Sequence, residues 1–99
     1  MDNNLNIIIP KDFCVEEVAD FRIKINNYID EGKVNFIFDF SSCSFIDSTG
    51  LGAIVSIYKK CVEKNGSLKL KSLGPEVKKL FQLTRLDRVF EIEEYKLIR

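Results

Sequence analysis

Val34-Asn35-Phe36-Ile37-Phe38-Asp39-Phe40, followed closely by Phe45-Ile46-Asp47-Ser48-Thr49-Gly50-Leu51-Gly52, is the stretch that decides the fold. Val34, Phe36, Phe38 and Phe40 alternate with Asn35, Ile37 and Asp39, and a period of two marks a strand with one face more apolar than the other. This strand is expected to be central. Residues 41–47 read as a polar loop enclosing Phe45 and Ile46. A helix begins at the Ser-Thr-Gly run, with Leu51, Ile54, Val55, Tyr58, Cys61 and Val62 as its buried stripe and Asn65-Gly66 as its end.

Working outward, residues 5–9 form a short β-branched run stopped by Pro10, which reads as a first strand. Asp12 is placed to cap a helix over about 15–31, where Val18, Phe21, Ile25, Tyr28 and Ile29 recur at helical spacing and Gly32 follows. Downstream, Leu68 and Leu70 alternate with Lys69 and Lys71, a third strand apolar on one side. Gly74-Pro75-Glu76 opens a third helix, since proline at its first position loses no needed hydrogen bond; Val77, Leu80, Phe81 and Thr84 supply its inward face. Residues 89–92 form a fourth strand, and Tyr95, Leu97 and Ile98 a short docking tail. The order is strand, helix, strand, helix, strand, helix, strand, with connections long enough for parallel crossovers, which must be right-handed. The fold class is α/β, one domain over 1–99, with a mainly parallel four-stranded sheet, sequential βα crossovers and helices mostly on one face.

Size and charge narrow the function. A chain of 99 residues has room for one core. Fifteen basic and fifteen acidic residues cancel, removing the electrostatic excess that drives binding to nucleic acid or an anionic membrane. Met1-Asp2-Asn3-Asn4 lacks a basic signal region and Ile7-Ile8-Ile9 is far too short to span a bilayer, so a cytoplasmic location without membrane insertion is expected. Cys14, Cys43 and Cys61 are widely spaced and offer no Cys-x-x-Cys pair, so they read as reduced structural residues. Histidine is absent, which excludes a Ser-His-Asp or Cys-His nucleophilic site. The chain reads as a non-enzyme without a cofactor.

The Asp47-Ser48-Thr49-Gly50-Leu51-Gly52 run holds the densest chemistry. On local grounds Asp47, Ser48 or Thr49 is an N-cap, each able to accept a backbone hydrogen bond, while Gly50 and Gly52 let the helix pack closely. A phosphate-binding reading fits poorly: the third glycine position of a Gly-x-Gly-x-x-Gly fingerprint is Val55, and no Gly-x-x-x-x-Gly-Lys run exists. Asp39 and Asp47 flank a loop without a second acid–base partner. Lys59, Lys60, Lys78 and Lys79 read as solvated charges on outward helical faces.

The order of the motifs from Phe36 to Phe90 resembles the STAS domain of bacterial anti-sigma-factor antagonists. The resemblance is carried by the 34–40 strand, by Phe45-Ile46-Asp47-Ser48-Thr49-Gly50-Leu51-Gly52, by Lys59-Lys60 and the Gly66 turn, and by Pro75-Glu76-Val77-Lys78-Lys79-Leu80-Phe81. It implies a βα-wound domain and a partner switch. Ser48 is the implied phosphorylation site, with Thr49 as the competing acceptor, and Asp47, Ser48, Thr49, Gly50 and Asp12 the implied partner-binding residues. The implied partners are an anti-sigma factor that is itself a serine kinase and a PP2C-type phosphatase that removes the phosphate; the unmodified form binds the kinase and releases the sigma factor. Where many relatives have an extra first strand and a Gly-Glu-Leu-Asp turn, this chain starts almost at the next strand and reads Pro10-Lys11-Asp12-Phe13, with Asp12 standing in for the family's acid. A different class of reading is a STAS scaffold, never phosphorylated, that binds a transporter, sensor or lipid-trafficking complex. A nucleotide- or lipid-binding domain is a third, for which no residue cluster calls.

Overall fold

The computed structural model describes residues 4–93; Tyr95, Leu97 and Ile98 lie outside them. Four strands, β1 (Leu5–Ile8), β3 (Asn35–Asp39), β5 (Ser67–Lys71) and β6 (Glu91–Glu93), form an all-parallel sheet in that order. Three helices make the crossovers: α1 (Val15–Asp30), α2 (Ser48–Glu63) and α3 (Pro75–Leu83). Two short strands, β2 (Asp12–Phe13) and β4 (Phe45–Ile46), pair in parallel as a separate ladder. Among the described residues no helix is long and apolar enough to cross a membrane.

Register explains the one-sided packing. Ile7, Phe38, Leu70 and Ile92 stand in one row across the sheet, and Leu5, Phe36 and Leu68 in another. Side chains alternate between faces, so these rows meet the helices while Asn6, Ile37, Lys69 and Glu91 take the other face. Lys69 pairs with Glu91 at 3.8 Å and Lys71 with Asp39 at 4.0 Å. Such pairs at a solvated surface contribute little stability, and their effect is to keep this face wet. Lys60, expected to be merely solvated, is exposed and donates to Asn26 Oδ1 at 3.0 Å.

The core is built on aromatic rings. Phe21, on the buried stripe of α1, meets Phe13 edge-on at 4.9 Å and Phe38 at 5.3 Å, joining the small ladder to the main sheet. Phe81 of α3 contacts Phe40 at 6.0 Å and Phe90 at 6.1 Å, both at steep interplanar angles. Edge-to-face pairs add to the large apolar area each ring buries. Cys61 is buried in α2, and burial pushes its thiol up to about 11, so it stays protonated and packs as a small apolar group.

Several local expectations change. Asp12 does not cap α1: it lies in β2, and Cys14 takes the cap position with extended backbone and no side-chain hydrogen bond. The reason is Phe13, whose full burial commits its neighbours to the ladder. The 41–47 segment is not wholly loop, because Phe45 and Ile46 form β4. The buried residues of α2 are Gly50, Leu51, Ala53, Ile54, Ile57 and Cys61, whereas Val55 and Tyr58 are half-buried and Val62 is exposed. That helix is apolar on most sides, so its pattern does not single out the inner stripe. Thr84 is exposed at the C-cap of α3, where its hydroxyl donates to the Leu80 carbonyl at 2.9 Å. The fourth strand starts at Glu91, after a 3-10 turn over Leu86–Arg88.

Because Phe21 bridges the two ladders, Phe21→Ala is expected to destabilise the domain by about 3–5 kcal/mol, measured by urea unfolding. A loss under 1 kcal/mol would mean the bridge is not structural.

Candidate functional site

The site is assembled by the β2–β4 ladder. Lys11 O accepts from Ser44 N at 2.8 Å and from Phe45 N at 3.2 Å, and Asp12 and Phe13 then pair with Phe45 and Ile46. The adjacent residue, Asp47, starts α2. Gly50, in the first turn, is seated against this ladder: a Cβ there would stand 2.6 Å from the Phe13 carbonyl oxygen and 2.8 Å from Ile46 Cγ1. Only glycine allows that approach. Gly52 differs from the expectation, since a Cβ there would meet nothing within 4 Å; it leaves the outer surface of the helix bare.

The capping alternatives resolve in favour of Asp47. Its backbone is extended (φ −107°, ψ −175°), and its Oδ1 accepts from Gly50 N at 2.9 Å. Ser48 and Thr49 are exposed, and the Ser48 hydroxyl has no hydrogen-bond partner among the described residues. The serine therefore stands at the positive end of α2 with its oxygen available, and no acidic residue occupies the helix's first turn.

The predicted residues converge. Partial burial, followed by the carboxylates of Asp47, Glu17 and Asp12, pushes the Cys14 thiol up from its ordinary value. Asp12 stands in β2 in register with Phe45, and Asp47 follows β4 directly, so both carboxylates border the small ladder; Ser48 and Thr49 come next, in the first turn of α2, giving one acidic, hydroxyl-bearing corner. Gly50 is buried beneath it as a packing residue. Phe45, 55% exposed, adjoins this corner and was not singled out in the sequence. The signal was there in part: neighbours on a strand point to opposite faces, so with Ile46 buried Phe45 must turn outward.

A parallel βα-wound sheet with an exposed serine at the second helix start, held over a two-strand ladder, defines the architecture of a STAS-type domain. The STAS domain family model matches residues 2–96, and the chain belongs to that family. An anti-sigma-B factor antagonist of Bacillus subtilis (strain 168) is 29% identical over 91 residues, which is 92% of this chain and 83% of that protein. The crystal structure of a candidate anti-sigma factor antagonist from Thermotoga maritima superposes with a TM-score of 0.89 at 26% identity, covering 98% of this chain and 83% of that one. The Bacillus cell fate determinant SpoIIAA in its phosphorylated form gives a TM-score of 0.78 over 97% of this chain and 86% of that one; at 23% identity the likeness is one of fold.

The two glycines are expected to respond oppositely. Gly50→Ala should cost at least about 2 kcal/mol through overpacking, whereas Gly52→Ala should be neutral or stabilise by up to about 1 kcal/mol from helix propensity. Asp47→Ala should cost about 1 kcal/mol as a lost cap. Chemical denaturation of the three variants checks all three values.

Proposed function

We propose that the chain is an anti-sigma factor antagonist that works as a phosphorylation-controlled partner switch. In its unmodified form it binds an anti-sigma factor that is a serine kinase, and the sigma factor is released. Phosphorylation of Ser48 by that kinase ends the binding, and a PP2C-type phosphatase restores it. Asp12, Asp47, Ser48 and Thr49 form the contact corner, with Gly50 setting its height. The domain acts as a non-catalytic cytoplasmic regulator.

One observation carries this reading: Asp47 performs the capping, so Ser48 keeps an exposed, unpartnered hydroxyl at a helix start among the described residues. A phosphate there adds roughly −1.5 to −2 charges. Inside the domain, the helix terminus offers backbone N–H groups and a positive dipole end, so the anion is tolerated and the fold persists. Outside, the new charge joins Asp47 and Asp12 and repels or sterically excludes a partner shaped to the bare hydroxyl. The switch changes the surface and leaves the core alone.

The test is titration of wild type, Ser48→Ala and Ser48→Asp with a serine-kinase anti-sigma factor from the same genome, with melting temperature as the folding control. Wild type and Ser48→Ala should bind, and Ser48→Asp should bind at least about tenfold more weakly while melting normally. Equal binding by folded Ser48→Asp would defeat charge-based switching. Phosphopeptide mass spectrometry after incubation with the kinase and ATP should place the phosphate on Ser48 and not on Thr49.

A further inference from the structure

Seven of the eight phenylalanines belong to the buried core, and the one left over is Phe45. On α3, Leu83 is 71% exposed. The two residues border a hollow of about 210 Å³ between β4 and α3, together with Leu80 and the buried Val77. Glu76 and Lys79, one turn apart on α3, supply charges of opposite sign at the same hollow. Phe45 and Ile46 run directly into Asp47 and Ser48, and β4 packs against both α2 and α3. The lining of the hollow thus reaches Ile46, the residue before Asp47.

We propose that this hollow receives an apolar side chain of the protein partner that binds at Ser48, on a partner segment carrying a cation towards Glu76 and an anion towards Lys79. The inference rests on the partner reading given above. Volume argues for a side chain: 210 Å³ falls below the roughly 300–1,000 Å³ of small-molecule sites. An apolar floor with polar residues at its border is also the layout of an interface anchor, in which one buried apolar group carries much of the affinity and the border excludes water. The opposite charges of Glu76 and Lys79 set the register, since a partner with the opposite order would bring like charges together. Ser48 and the hollow thus divide the labour: the serine decides whether the partner binds, and the hollow decides which partner fits.

The experiment titrates the same serine-kinase anti-sigma factor against wild type, Leu83→Asp, Leu83→Met, Glu76→Lys and Ser48→Asp, following heat of binding and Leu83 methyl NMR signals. Leu83→Asp should bind about tenfold or more weakly with an unchanged melting temperature, Leu83→Met should bind as wild type, and Glu76→Lys should be weakened. The Leu83 methyl signals of wild type should shift on titration. If Leu83→Asp binds normally, or the methyl signals stay still, while Ser48→Asp fails to bind, the hollow is not the anchor and the switch reading survives. If wild type itself does not bind, both ideas fall. A dimer of the chain alone that Leu83→Asp dissolves would give the hollow to a second copy and overturn the proposal. So would a shift of the Leu83 methyl signals in the free chain on Leu97→Ser or Ile98→Ser, which would assign it to the chain's own last residues.

Discussion

The contact between the first turn of α2 and the Phe13–Ile46 ladder is the constraint on which the rest of the structure depends. A helix can lie this close to two strands only where a side chain is missing, and Gly50 supplies that position, with the Phe13 carbonyl 2.6 Å from where a Cβ would be. The approach fixes the height of Asp47 and Ser48 above the ladder. It also holds Phe13 in contact with Phe21, and through Phe21 with Phe38 of the central strand. Site geometry and core packing are thus one problem solved by the same few residues.

The two faces of the sheet divide the remaining tasks. Rows such as Ile7, Phe38, Leu70 and Ile92 supply apolar burial against the helices, the main favourable term in folding. The opposite rows carry Lys69, Lys71, Asp39 and Glu91 in cross-strand pairs. Among the described residues β6 is the edge strand, and Glu91 and Glu93 at its ends charge it as well, which discourages pairing with a foreign strand. The exposed serine and the acidic residues beside it lie apart from these charged rows, at the ladder and the start of α2.

The sequence was most legible where one face of an element is clearly apolar. On α1, Val18, Phe21, Ile25 and Ile29 are buried as the helical spacing required, Tyr28 of the same stripe is half-buried, and the alternation of Phe36 and Phe38 in β3 put both inside. Legibility failed where periodicity has nothing to act on. Two-residue strands such as β2 and β4 are too short to show a period, so Asp12 resembled a cap and Phe45 a loop residue. On α2 apolar residues occur nearly all round, so Val62 was placed inside although it is exposed. The family was readable from motif order; the hollow between β4 and α3 was not, because these elements come together only through the tertiary fold.

Assigning the helix cap to Asp47 has a broader implication. If Ser48 itself held the helix end, any chemical change to its oxygen would also change the durability of the domain. With capping and exposure on neighbouring residues, the two properties become separately adjustable: the side chain at position 48 can be changed without removing the hydrogen bond that holds the helix end.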